Sequence, residues 1–309
     1  MSAIETPVRP AYRPYPVRVA DVHRLTPHFV RVTFTGDELQ HFSTAGLDQR
    51  IKFVLPHSDG TFADFGQHEG AGDWYDRWRA LPVAARNPFR TYTVRRIDPA
   101  TRELVVDFVV HHDAGPAGAW AQGATIGDEA VVVGADERSP HSRLGLDWHP
   151  GTARRLLLAG DETAAPAICG ILESLDAAFE VDAFIEVPTS ADALQPDAPA
   201  SFRVRWIERD EAAHGARLID AVTSWAAAHT PVLERAAAPR PQELEDIDID
   251  RDLLWDSPED AEGEFYAWIA GEAATIKTLR RLLVTGHGVD RKRVAFMGYW
   301  RNGQAERME

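Results

Sequence analysis

LLLAGDETAAPAICGILESL, residues 156–175, reads as an apolar strand, a glycine-bearing turn and an amphipathic helix in immediate succession. A strand that runs through a tight turn into a helix opens an α/β unit, and ligands of such units gather where the strand ends. The turn is not a GxGxxG fingerprint, so by itself it predicts an α/β second half and leaves nucleotide binding open.

The same alternation continues outward toward the C-terminus. Strands are predicted at 155–159, 181–187, 203–207, 265–270 and 293–298, with helices at 164–178, 212–228 and 273–285 between them. That order implies a parallel α/β sheet with helices on its faces. Residues 239–264, PRPQELEDIDIDRDLLWDSPEDAEGE, interrupt it with a proline-rich entry and a dense acidic run. We expect an irregular surface insertion there; the alternative reading is a docking surface for a basic electron-donor protein.

Toward the N-terminus the pattern changes to short alternating strands, at 16–24, 29–35, 50–55, 90–96, 103–110 and 129–134. Antiparallel strands of that number suit a small Greek-key β-barrel. The sequence therefore predicts a two-domain β + α/β chain, a barrel over 1–145 and an α/β domain over 146–309 that carries the acidic insertion 239–264.

Two stretches of the first half carry chemistry. FRTYTVRR, residues 89–96, places Arg90, Tyr92 and Val94 on one side of a strand and Thr91, Thr93 and Arg95 on the other. Such a strand holds a phosphate, an aromatic ring and a hydrogen-bonding edge together only if an end or a twist lets neighbours share the ligand. VVHHDAGPAGAWAQG, residues 109–123, runs from strand through turn into helix. Gly115 permits close approach, Pro116 suits the first helical turn, and the amides after it face outward as an anion site. An ordinary strand and a plain connection anchored by Trp120 account for the same residues.

Composition bounds the function classes. The 309 residues, 44% hydrophobic, suffice for two cored domains, and no apolar run is long enough to span a bilayer. A formal charge of -15 opposes binding to nucleic acid or an anionic membrane. The single Cys169 excludes an internal disulfide and a cysteine-ligated cluster, and we expect it buried. The opening residues lack an apolar signal core, so a cytoplasmic location is expected.

Taken together, RTYTVR (90–95), the H..aGPA..WA run (111–121), AGDETAAPAI (159–168), WIAGEA (268–273) and GYWRNG (298–303) resemble the siderophore-interacting protein family of FAD-binding ferric-siderophore reductases. His112 and Gly118 depart from that pattern, which expects a glycine and a serine there. The resemblance implies an NAD(P)H-dependent flavoprotein that passes electrons from NADH or NADPH through FAD to a ferric siderophore and releases Fe(II). A flavin suits the task because nicotinamide delivers electrons in pairs and iron(III) takes one.

The resemblance also implies roles. Arg90 would pair with the FAD diphosphate, Tyr92 would pack on the flavin, and Thr91 would belong to the same cofactor site. Thr93 would act at the redox edge, and His111, Gly115, Pro116, Ala117 and Trp120 would complete the environment. Asp161, Thr163 and Trp300 would meet the nucleotide or the lip of the flavin cleft, and Glu272 would face the nicotinamide; Asp161, Glu162 and Glu272 serve equally as helix-start carboxylates. Lys52, Arg138 and Arg301 would hold an anionic siderophore. FIEVPTS offers Glu186 and Ser190 and no arginine pair, which leaves NADH against NADPH open with a lean to NADH. No metal of its own and a monomeric state are expected. A ferredoxin donor, a general flavin reductase with another acceptor, and a non-catalytic siderophore carrier or flavin sensor are the alternatives.

Overall fold

The computed structural model describes residues 9–110, 115–245, 247–249, 252–259 and 261–303. The described residues divide into two compact units, one formed by 9–25 and 29–146, the other by 26–28 and those between 147 and 303. No helix among the described residues is long and apolar enough to cross a membrane.

In the first unit β1 (Tyr12–Thr26), β2 (Phe29–Thr35), β3 (Arg50–Val54), β4 (Phe89–Thr93), β5 (Arg96–Asp98), β6 (Glu103–Val109) and β7 (Glu129–Ala135) form one sheet in the order β4-β3-β7-β1-β2-β6-β5. Its registered pairs are antiparallel. The strand expected over 90–96 is broken after Thr93, and the break closes the architecture. Val94 donates its amide to Gln49 beside β3, and Arg95 donates to Val105 of β6. The two edge strands are thus consecutive in sequence, joined by two residues that bond to opposite edges, so the sheet must roll until those edges meet. A rolled antiparallel sheet is what is observed; the Greek-key barrel was the finer expectation.

One face of this sheet buries Val32, Phe34, Phe53, Leu104, Val106, Phe108 and Val132. The other face is covered at Val54, Phe89, Val131 and Val133 by Phe65 and by Trp74 and Trp78 of α1 (Trp74–Ala80). β1 begins earlier than expected, through Pro14 and Pro16. Val19 donates its amide to the chain before β7, so odd residues of β1 bond that way. The even prolines therefore turn their missing donors away from β7.

The second unit holds β8 (Arg155–Gly160), β9 (Glu180–Val187), β10 (Arg203–Glu208), β11 (Trp255–Asp256), β12 (Phe265–Glu272) and β13 (Val294–Trp300), in the order β10-β9-β8-β12-β13-β11. Five strands run parallel; β11 is antiparallel to β13, so the sheet is mixed rather than wholly parallel. α3 (Ala165–Ser174) follows β8, α4 (Ala216–Ala228) and α5 (Thr230–Arg235) follow β10, and α6 (Ala273–Arg280) follows β12. Leu157, Ala159, Ala267 and Ile269 pack with α4 and α6 in one core, while Leu156, Leu158, Tyr266 and Trp268 are fully buried on the opposite face. Cys169 is buried.

The helix expected over 273–285 changes character after Arg280, where 281–286 form a π-helical turn. The acidic segment is irregular but docked. Leu254 is buried whereas Leu253 is exposed, β11 pairs with β13, and Asp256 receives Arg280 at 2.8 Å and Arg291 at 3.4 Å.

Candidate functional site

β4 delivers the FRTYT residues to two faces. Arg90 stands opposite Phe53 and Tyr92 opposite Ile51, while Thr91 stands opposite Lys52 and Thr93 opposite Arg50. On the inner face Tyr92 packs on Phe108 at 4.5 Å between ring centroids, and Trp120 of α2 (Pro116–Gly123) packs on Phe53 at 4.6 Å and stacks with Phe34 at 6.0 Å. One aromatic cluster thus joins the two stretches that the sequence singled out. Arg90 Nη1 donates to the carbonyl of Phe89 at 2.7 Å. Thr93 is buried.

Among the described residues the head of α2 is open: Gly115 is its N-cap in extended backbone, Pro116 opens the helix, and no described side chain caps it. A Cβ at Gly115 would meet nothing within 4 Å. Ala117 and Ala121 are buried against the sheet, which fixes the helix and leaves its first turn pointing outward. An uncapped helix start carries partial positive charge and unsatisfied amides, the groups a diphosphate binds. His111, expected beside this turn, lies outside the described residues.

Each of the three cations expected to hold an anionic substrate has a hydrogen-bond partner. Lys52 Nζ donates to Thr91 Oγ1 at 2.7 Å and lies 5.5 Å from the Phe89 ring centroid. Arg138 holds Asp136 with Nε at 2.9 Å and Nη2 at 2.6 Å, and Arg13 Nε adds a bond at 2.7 Å. Burial opposes ionisation of Asp136, but these guanidiniums hold its carboxyl well below the usual range. Arg301, in the other unit, donates to the carbonyl of Asp252. Residue type alone conceals such partners.

In the second unit three expected residues, Thr163, Glu272 and Trp300, converge on the carboxylate of a fourth, Asp161. Asp161 Oδ1 accepts from the Thr163 amide at 2.9 Å and from its hydroxyl at 2.5 Å; Oδ2 accepts from the Glu272 amide at 2.8 Å and from Trp300 Nε1 at 2.9 Å. Gly271 has φ 148 and a Cβ there would sit 2.6 Å from Asp161 Oδ2, so glycine is needed for this approach. Glu272 caps α6: Oε2 accepts from the Thr275 amide at 3.0 Å and Oε1 from the Asn302 amide at 3.4 Å. Its helix-start role is on view.

A second layer escaped sequence reasoning. Arg209, just past β10, grips Glu162 through Nη1 and Nη2, each at 2.9 Å, and reaches Glu186 of β9 at 3.3 Å. Glu186 also accepts from the Gly215 amide at 2.8 Å and the Leu218 amide at 3.1 Å. His214 Nε2 meets Arg209 Nη1 at 2.8 Å and Glu162 Oε1 at 3.4 Å, so ring protonation decides which partner it serves. No spacing motif links Arg209 or His214 to Glu162; the sheet brings them together.

Burial, and then the Glu162 charge, push Asp161 up to about 6. Burial raises Glu162 too, but hydrogen bonds with His214 and Arg209 prevail and draw it down to about 2. Burial lowers His214, and the Glu162 contact outweighs it and lifts the ring above its ordinary value. Asp161, Glu162 and His214 offer ligand atoms within 4.8 Å of one another. A cation there would have to displace the guanidinium that already holds both Glu162 oxygens.

The first unit fits FAD: a helix start uncapped among the described residues, an arginine on β4 and aromatic faces. The head of α3 does not fit a dinucleotide diphosphate in the Rossmann manner, because buried carboxylates stand where the anion would lie.

Comparison with known proteins agrees with this division. Residues 18–138 match the model of a siderophore-interacting FAD-binding domain, and residues 153–303 match that of a siderophore-interacting protein. An uncharacterized protein of Mycobacterium tuberculosis is 33% identical over 294 residues, 94% of this chain and 91% of its own. The ferric vibriobactin reductase ViuB of Vibrio cholerae is 27% identical over 297 residues, 95% of this chain and 92% of its own. A siderophore utilization protein from T. fusca superposes with TM-score 0.68 at 27% identity over 96% of each chain. A ferredoxin NADP+ reductase from Neisseria gonorrhoeae, 13% identical, shares the fold alone, with TM-score 0.57 over 93% of this chain and 99% of that one.

Proposed function

The chain belongs to the siderophore-interacting protein family, and from that premise we propose that it is an FAD-dependent reductase that takes the iron of a ferric siderophore from Fe(III) to Fe(II). The observation that carries the reading is the open head of α2 in the same packed cluster as Tyr92 and Trp120. Arg90 and the amides after Gly115 would hold the FAD diphosphate, and a guanidinium fork suits that group better than a point charge does. Tyr92 and Trp120 would pack beside the ring, and Thr93 would hydrogen-bond at its redox edge. Bound FAD supplies the conversion of paired into single electrons.

The iron complex is substrate. One electron lowers the charge on iron and weakens its hold on hard oxygen donors, which frees Fe(II) for capture. NADH or NADPH would supply the electrons.

The test uses a reductant that bypasses the natural donor. The protein is loaded with FAD, reduced anaerobically with dithionite to one equivalent, and mixed with ferric catecholate or ferric hydroxamate complexes and an Fe(II) chelator. We expect the flavin absorbance to return as the Fe(II) complex forms, faster than with free reduced FAD. Failure to retain FAD, or reoxidation no faster than that of free flavin, overturns the reading.

A further inference from the structure

The carboxyl edge of the second sheet is where an α/β fold normally receives an anion. In this chain that edge is occupied by its own carboxylates. β8 leads into α3, and Asp161 takes the Thr163 amide through its side chain and the Ala164 and Ala165 amides, at 3.0 Å and 3.1 Å, through its carbonyl. Pro166 follows with no N–H, and Ala167 and Ile168 are fully buried. At the head of α4, Glu186 takes the Gly215 and Leu218 amides. At the head of α6, Glu272 takes the Thr275 amide. The turn after β9 is closed likewise, with Asp192 accepting from the Thr189 amide at 3.1 Å and its hydroxyl at 2.7 Å.

Four buried carboxylates, Asp161, Glu162, Glu186 and Glu272, therefore stand around the heads of α3, α4 and α6, with Arg209 paired to Glu162 and Glu186 and His214 to Glu162. A diphosphate arriving there finds amides already bonded and meets net negative charge. It would have to break several hydrogen bonds and separate Arg209 from Glu162. The contrast lies within one molecule, because α2 carries no side-chain cap.

We propose that Asp161 and Glu162 are specificity determinants that exclude a nucleotide diphosphate from the head of α3, so that the ADP half of a pyridine dinucleotide contributes no binding there. A reduced nicotinamide that serves this protein therefore does so without a diphosphate seat at the head of α3. The inference rests on reading this chain as a flavin reductase, and its test is separable: loss of that reading appears as failed transfer from dithionite-reduced protein to iron, loss of this one as nucleotide bound at α3.

The experiment titrates the full-length, FAD-loaded, oxidised protein with ADP-ribose, NAD+ and NADP+, and follows the amide resonances of Thr163, Ala164 and Ala165. Those resonances are expected to stay unmoved up to about 1 mM ligand, the range of a binding free energy near -4 kcal/mol. Saturable shifts at those amides, or a Kd of about 10 μM or tighter that inorganic pyrophosphate competes away, overturn the proposal. Binding that leaves the three amides unmoved and resists pyrophosphate supports it, since the nucleotide is then seated elsewhere. Asp161→Gly combined with Glu162→Thr frees the Thr163 amide and Arg209, and a shift at Thr163 on adding ADP-ribose is expected if that variant folds; the wild-type titration decides the matter if it does not.

Discussion

Asp161 shows how much a residue's surroundings add to its type. It receives four hydrogen bonds and stands beside Glu162, and its pKa of about 6 reflects burial first and that neighbour second. An unfolded Asp titrates near about 4, so native Asp161 binds its proton more tightly than unfolded Asp161 does. Protonation there stabilises the fold below the unfolded value, and the contribution is lost as pH rises through about 6. Asp161→Asn cannot ionise. Its stability deficit relative to wild type, in urea unfolding at several pH values, should shrink by about 1–3 kcal/mol between pH 4 and pH 7. A deficit that stays constant across that window would show that Asp161 is not lifted. Glu162 has the opposite sign: drawn down to about 2, it contributes above the unfolded range and is lost only in strong acid.

Helix starts carry the argument at the next scale. α2 and α3 both follow a strand and both have proline in their first turn, yet one head is open and the other is bonded to Asp161. A carboxylate at a helix N-terminus stabilises the helix and competes with an external anion for the same amides. Gly115→Asp tests this directly, because the site has room for a side chain and its backbone is extended. The flavin-free variant should gain about 0.5–1 kcal/mol in thermal or urea unfolding, while its FAD affinity by equilibrium fluorescence should fall tenfold or more. Unchanged FAD affinity would remove the diphosphate from α2. The residues that close α4 and α6 belong to this scale as well. Glu186 lies inside a strand and reaches the start of a helix beyond the next strand, a relation that no local spacing encodes.

For the whole molecule, a formal charge of -15 meets a substrate that is itself often anionic, and the arginines expected to offset this are engaged with Asp136 and the Asp252 carbonyl. The encounter should therefore be repulsive, and added salt should relieve it. Raising ionic strength from about 10 to 150 mM should increase kcat/KM for an anionic ferric siderophore on the order of twofold; a decrease would reveal a steering cationic pocket. The sequence by itself determined the two kinds of architecture, because side-chain alternation and the strand-turn-helix at 156–175 are local patterns. It also determined the family, through short motifs spread over the chain, and it pointed to Arg90, Tyr92, Trp120, Asp161 and Glu272. Only the tertiary structure decided where strand 90–96 breaks, since residues 94–95 switch partners between Gln49 and Val105. It alone decided that Arg138 is held by Asp136, and that Arg209 joins Glu162 to Glu186. The physical reason is range: backbone periodicity is written within a few residues, whereas whether a charge is free or already paired depends on side chains that the fold brings from tens of residues away.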